Sequence, residues 1–232
     1  MQLKFATYNI HKGVGLDRKR DPERIMAVLH EIGADVVTLQ EADRRFGRRE
    51  AILPKSLLDE HHWKLAPVAN RRESMGWHGN AILVGPGIDL VDTSRISIPA
   101  IEPRGAVSAH LEKDGAPFLA IGMHLDLSGL MRRRQIQKVC EDLHSETHLP
   151  AVLMGDLNEW SRERGALRGF GEGWNVLAPG RSFPSRRPVA MLDRIVSSRD
   201  WQVVSMGIHH SVLSSRASDH LPAWAVLEYN AR

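Results

Sequence analysis

The sequence predicts an α/β fold: two similar halves, each a sheet with helices outside it, packed face to face as a layered sandwich. Three observations carry this. Apolar runs of strand length alternate with two longer stretches of helical period. Polar residues at the ends of those runs recur at one offset, since Asn9 and His124, Glu41 and Asp156, His78 and Asp193, and Arg104 and Asp219 are each 115 positions apart. The chain has 232 residues, 42% of them hydrophobic and 25% charged, with no biased tract, so it can bury a core.

In chain order, Leu3 to Thr7 reads as the first strand. Asp21-Pro22-Glu23 is a capped helix start with Pro at the first helical position, and Ile25, Val28, Leu29 and Ile32 follow at i, i+3, i+4 and i+7 up to Gly33. Ala34 to Leu39 is a β-branched run suited to a strand buried on both faces. Asn80 to Val84, Ala106 to Leu111 and Phe118 to Met123 read as strands, followed by a helix from Leu130 to about Glu146 with Ile136, Val139 and Leu143 on one face. Ala151 to Met154, Leu192 to Val196 and Ala223 to Leu227 complete the strands.

No Pro/Gly/Ser-rich linker divides the chain, which reads as a single domain over 1–232. The longest uncharged apolar runs are far below the ~20 residues that cross a bilayer, which predicts no stable membrane insertion. The N-terminus lacks the basic and apolar regions of a secretory signal, and Cys140 is the only cysteine, so a cytoplasmic location is expected and Cys140 reads as a small core residue. No obligate protein partner is evident. Net charge is +3, from 31 basic and 28 acidic residues. Arg44-Arg45, Arg48-Arg49, Arg71-Arg72 and Arg186-Arg187 are clusters that either meet phosphates or form solvated faces, and Arg132 to Arg134 read as helix surface.

Five motifs then carry a resemblance: Thr7-Tyr8-Asn9, Leu39-Gln40-Glu41, Gly155-Asp156-Leu157-Asn158, Leu192-Asp193-Arg194-Ile195 and Ser218-Asp219-His220. In order and spacing the chain resembles the endonuclease/exonuclease/phosphatase superfamily, which includes pancreatic deoxyribonuclease, from Thr7 to His220. The resemblance implies a four-layered, deoxyribonuclease-I-like α/β-sandwich with a divalent-metal phosphoesterase site at one edge. It leaves the substrate open, because the family cleaves nucleic acids, lipid head groups and soluble phosphates.

Hydrolysing a phosphodiester needs an activated water, neutralisation of charge on the phosphoryl oxygens and help for the leaving oxygen. The oxygen ligands Asn9, Glu41 and Asp219 suit Mg²⁺ or Mn²⁺, and the lone cysteine excludes a thiolate site. By resemblance Glu41 holds the metal, Asp156 orients or deprotonates the water, and Asn158 contacts the phosphoryl oxygen or the metal. Asp156 and Asn158, at i and i+2 of an extended segment, face one side; the alternative is an Asx-turn pair. Asp193 is expected to fix the tautomer of His220, the general acid/base or phosphate-polarising group, with Asp219 turned toward the metal. His124 resembles the second histidine of the deoxyribonuclease branch, and is otherwise a structural histidine. His78 stands roughly where that branch has an acidic partner for it. Arg104 is suited to bidentate bonding of phosphate, or to a salt bridge with Glu102 or Glu41. Asn80 either donates to substrate phosphate or holds a turn.

Substrate choice falls to the loops Asp43–Trp77, Asn158–Trp174 and Arg181–Pro188, which read as short and without a long helical insertion, hence as an open site. Trp77 and Trp160 either stack on bases, insert at a membrane surface or anchor loops. Arg186 and Arg187 sit on a stiff loop able to grip a phosphodiester backbone. The leading expectation is therefore a Mg²⁺- or Mn²⁺-dependent nuclease with no strong sequence preference. The alternatives are the same chemistry on a phospholipid or small phosphoester, and a catalytically inactive binding module.

Overall fold

The first helix begins where the sequence places it: the Asp21 carboxylate accepts a hydrogen bond from the Arg24 amide at 3.0 Å, Pro22 opens the helix, and Gly33 closes it in the left-handed conformation at φ 58°. The structure, a computed structural model, describes residues 1–146, 149–162 and 164–229. In order the elements are β1 (Gln2–Asn9), α1 (Pro22–Ile32), β2 (Val36–Gln40), α2 (Lys55–Glu60), β3 (Lys64–Leu65), β4 (Ala81–Val84), β5 (Asp89–Ile96) and β6 (Gly105–Lys113). There follow β7 (Ala116–His124), α3 (Gly129–Glu146), β8 (Ala151–Asp156), β9 (Trp174–Leu177), β10 (Asp193–Ser198), β11 (Trp201–Ile208), α4 (Ser214–Ala217) and β12 (Ala223–Tyr229).

The strands form two six-stranded sheets with orders β11-β12-β1-β2-β4-β3 and β5-β6-β7-β8-β10-β9. Position by position the two orders match, with β1 and β2 parallel in one sheet and β7 and β8 parallel in the other. The expected two halves are thus present. Leu3 and Phe5 of β1, Val36 of β2, Val107 of β6, Phe118 and Ala120 of β7, and Met154 of β8 fill the space between the sheets, where Phe5, Phe118 and Trp201 meet edge-on with ring centroids 5.3–6.0 Å apart. The alternate residues face outward. Ala6, Tyr8, Val37 and Leu39 pack under α1 and α2, and Leu119, Ile121 and Leu153 pack under α3 with Ile136, Val139 and Cys140. Sheet, sheet and two outer helical layers give the four-layered sandwich.

β1 lies antiparallel to β12, and the two ends are tied by hydrogen bonds from the Met1 ammonium to the Tyr229 carbonyl at 3.0 Å and from the Tyr229 amide to the Met1 carbonyl at 2.8 Å. Sequence periodicity did not expose β3, β5, β9, β11 or α2. β5 and β11 are edge strands with most residues at least partly exposed, so no apolar alternation is imposed on them. β3 and β9 have two and four residues, and α2 has no side-chain cap at Pro54. The loop from Asp43 to Trp77 is therefore neither short nor free of helix. Arg132, expected on the surface of α3, is instead buried against Glu159 at 3.2 Å, because α3 lies across the loop after β8. Among the described residues no helix is long and apolar enough to cross a membrane.

Candidate active site

Parallel pairing of β1 with β2 and of β7 with β8 sends their C-terminal ends to one edge of the sandwich, and the antiparallel β4, β6, β10 and β12 begin there. The recurring offset follows from this topology. Asn9 and His124 end β1 and β7; Glu41 follows β2 as Asp156 ends β8; His78 precedes β4 as Asp193 opens β10; Arg104 and Asp219 stand just before β6 and β12.

Asp156 is the hub. Its Oδ2 accepts a hydrogen bond from Asn9 Nδ2 at 3.1 Å, across the two sheets, and lies 3.4 Å from His124 Nε2 and 3.7 Å from His220 Nε2. Its Oδ1 accepts from the Asn158 amide at 3.0 Å. Asn158 has φ 50°, so the two residues are joined by an Asx turn and not by the extended segment expected; the side-chain amide of Asn158 donates to the Leu125 carbonyl at 2.9 Å. Asp193 and His220 are brought together as expected: Nδ1 of His220 lies 2.9 Å from Asp193 Oδ2, which also accepts from the Ser182 hydroxyl at 2.5 Å. Phe183 covers the imidazole at a ring distance of 4.8 Å. Burial disfavours charge on His220, but Asp193, Asp156 and Asp219 outweigh it and raise its pKa to about 10.

His124 is the opposite case. It is buried, and Nη1 of Arg104 lies 2.5 Å from its Nε2 and 2.7 Å from its Nδ1; burial first and the guanidinium second lower its pKa to about 4, against the pull of Asp156 and Glu41. His124 is thus a neutral imidazole at pH 7, and Arg104 divides its contacts between it and Glu102, 3.4 Å away.

Glu41 stands just past β2 in the left-handed conformation, φ 53°, with the Lys12 ammonium on its carboxylate. Burial raises its pKa, but Lys12 prevails and the net shift is downward. Asp219 is half-buried, 3.8 Å from His11 Nδ1. Glu41 and Asp219 offer carboxylate oxygens, and Glu41 already attracts a cation in Lys12, so these residues fit a hard divalent ion. Asn9 is more committed, since its Oδ1 accepts from the His11 amide at 3.1 Å. A second group with metal-ligating atoms, Asp156, Asp193 and His220, lies within 4.8 Å of one another, though the hydrogen bond between Asp193 and His220 already satisfies two of its members.

The remaining candidates are dispersed around this core. Asn80 is buried, and its side-chain amide donates to the Gly105 carbonyl at 3.0 Å and the Trp77 carbonyl at 3.3 Å, tying the start of β4 to the start of β6. His78 faces Arg49, with Nδ1 3.4 Å from Nη1, and its ring meets that of Trp77 at a tilt of 58° with centroids 4.5 Å apart. Arg186 and Arg187 are exposed on a loop stitched to the one carrying Asp219 and His220 by the Ser185 amide, which donates to the Asp219 carbonyl at 2.7 Å. Arg44 and Arg45 pair with Glu50 and Glu102 at 2.9 and 3.5 Å. Trp77 is half-buried, whereas Trp160 is 64% exposed, so it does not anchor its loop. Sequence reasoning missed Lys12 and Ser182; Ser218, singled out in the Ser218-Asp219-His220 motif, donates to the Asn9 carbonyl at 2.7 Å. Lys12 had a signal, being three residues after Asn9; Ser182 had none.

An uncharacterised Escherichia coli (strain K12) protein, YbhP, is 25% identical to this chain over 214 residues, 83% of each. An endonuclease/exonuclease/phosphatase family protein from Bacteroides thetaiotaomicron superposes with a TM-score of 0.77 at 19% identity, covering 100% of this chain and 99% of that one. The D. rerio TDP2 structure complexed with single strand DNA product does so with a TM-score of 0.74 at 15% identity, covering 98% and 99%. The description "Endonuclease/Exonuclease/phosphatase family" matches residues 6–220, and the chain belongs to that family.

Proposed function

We propose that this protein is a divalent-metal-dependent phosphodiesterase that cleaves nucleic-acid strands without reading their sequence. The observation that carries the chemistry is the convergence on Asp156 of Asn9, His124 and the Asp193–His220 pair, beside Glu41. Asp156 holds the attacking water and takes its proton as the oxygen–phosphorus bond forms. His220, fixed through Nδ1 by Asp193, meets a phosphoryl oxygen through Nε2, and as the bond from phosphorus to the leaving oxygen breaks that oxygen takes a proton from solvent, to which Asp156 gives up the one it accepted. Glu41 and Asp219, with Asn9, hold Mg²⁺ or Mn²⁺, which when bound supplies charge neutralisation on the phosphoryl oxygens. Arg104, beside His124, grips the phosphate in this reading.

The nucleic-acid assignment rests on the rim. Arg48, Arg71, Arg72, Arg186 and Arg187 are exposed on loops at or beside this edge, and Trp160 is exposed on the loop that leaves β8 at the same edge. Phosphate contacts of this kind carry affinity without sequence information. The test is a panel with Mg²⁺ or Mn²⁺ covering plasmid DNA, RNA, a bis-aryl phosphodiester and a lysophospholipid. Cleavage of plasmid or RNA, weakening steeply with salt, is expected. Turnover of the lipid or the small ester with intact plasmid would overturn the substrate while leaving the chemistry; full activity after exhaustive chelation would overturn the metal.

A further inference from the structure

A pocket opens beside the catalytic cluster, on the side of Glu41 and His124; Arg44, Arg45, Arg49 and His78 line it together with Arg104 and Lys12, as do the carboxylates of Glu41, Asp43 and Glu102. Most of these cations are held by carboxylates: Lys12 by Glu41, Arg44 by Glu50, and Arg45 and Arg104 both by Glu102. Arg49 differs. Among the described residues it has no carboxylate within 4.0 Å, the buried Asp43 carboxylate acts on it from farther away, and its guanidinium is hydrogen-bonded only to the ring nitrogen of His78 at 3.4 Å. Burial and the charge of Arg49 both lower the pKa of His78, which keeps that ring an acceptor toward the guanidinium.

The wall is also built rigidly. Arg49 and His78 both have left-handed backbones, φ 52° and 51°, which ordinary side chains adopt only where their surroundings enforce it. The Arg49 carbonyl accepts from the Ser74 hydroxyl at 2.8 Å, and the buried Asp43 carboxylate accepts from the amides of Met75 and Gly76 at 2.8 and 3.2 Å, locking the two loops together. A planar donor array with no carboxylate hydrogen-bonded to it, on a fixed wall beside the residues that engage the scissile group, is the arrangement that recognises an oxyanion.

We infer that this pocket is a second phosphate subsite, with Arg49 as its principal donor, which takes a phosphate group borne by the substrate next to the phosphoester that is cleaved. The inference rests on the phosphoesterase reading above and adds that the preferred substrate carries two phosphates in reach of one another. Such a group arises either as a terminal phosphomonoester or as the neighbouring diester of a strand.

Two measurements test it. Calorimetric titration of chelator-treated protein with inorganic phosphate is expected to show binding that weakens at least about tenfold in Arg49→Gln, the size of one lost charge-assisted pair; equal affinity in the two proteins overturns the subsite. The second measurement follows hydrolysis with Mn²⁺ of the p-nitrophenyl ester of thymidine 5′-phosphate, of its 3′-phosphorylated form, and of the form extended by a 3′-linked nucleotide. The added phosphate is expected to lower KM about tenfold, with the gain shrinking in Arg49→Gln. A gain confined to the 3′-monoester identifies a terminal phosphate, and a gain in the extended ester as well identifies a strand phosphate. Hydrolysis of all three with equal KM overturns the subsite but not the phosphoesterase. Hydrolysis of none overturns the phosphoesterase, and the phosphate titration then decides the subsite by itself.

Discussion

Asp156 and His220 are buried within 3.7 Å of each other, yet each is tied by hydrogen bonds to neighbours that do not depend on the other. Asp156→Asn preserves shape and removes the base, so turnover is expected to fall by roughly 10² to 10⁴, with the melting temperature nearly unchanged; a loss below tenfold would remove Asp156 from the chemical step. The two histidines give opposite pH signatures in metal-free protein. The folded pKa of His220, about 10, lies above its ordinary 6.5, so its contribution to stability is full below pH 6.5 and is lost as pH rises toward 10. The folded pKa of His124, about 4, lies below 6.5, so its contribution is present above pH 6.5 and is lost as pH falls toward 4. Thermal melts across pH are expected to peak near 6.5. His220→Gln should flatten the alkaline limb alone, and an unchanged limb would show that Asp193 does not hold the proton on His220.

At the scale of elements, the loop after β8 owes its course to α3. Glu159 accepts from the amides of Ser161 and Ala166 at 2.9 and 3.0 Å and from Arg132 at 3.2 Å, with both side chains buried. Arg132→Ala leaves the carboxylate buried without its counter-charge and is expected to destabilise the protein by about 3 kcal/mol in denaturant melts; a loss under about 1 kcal/mol would mean that water replaces the guanidinium. Nothing in Arg132-Arg133-Arg134 marks the first as the inward one, because helical position alone does not say which loop will cover a helix. The same limit explains what else was legible. Strand-end polar residues such as Asn9, Glu41, Asp193 and His220 were readable, since buried strands have continuous apolar runs that make their ends visible. The partners supplied by irregular loops, such as Ser182 to Asp193 and Glu102 to Arg45, were not, because loop conformation has no sequence period, whereas the pairing of Arg104 with Glu102 was readable as an alternative because the two are close neighbours in sequence. Edge strands β5 and β11 were hidden for want of a second buried face.

The whole molecule sets the precision of the site, since Asn9 and Asp156 belong to different sheets and their hydrogen bond spans the gap between them. Across that gap β2 and β7 approach closely: a Cβ added at Gly122 would lie 3.2 Å from Cβ and Cγ2 of Thr38. Gly122→Ala is therefore expected to push the sheets apart by a few tenths of an ångström, costing about 1–3 kcal/mol, and to lower kcat more than its loss of stability explains at temperatures well below melting. Unchanged kcat would show that the edge adjusts independently of the sheet spacing. The correspondence of the two sheets has one more consequence. Where β6 and β7 are joined by Asp114 and Gly115, at φ 52° and 76° as in a type I′ hairpin, the matching strands β12 and β1 pair antiparallel with no turn between them, their ends tied by the Met1 and Tyr229 hydrogen bonds. A circular permutant that closes this seam with a short Asn-Gly turn and opens at the exposed Arg199-Asp200 turn would run β11-β12-β1-β2-β3-β4 and then β5 to β10, a direct tandem of the two sheets. It is expected to fold and to keep the parent's turnover within a few fold, because the seam and the new ends lie outside every contact made at the catalytic edge.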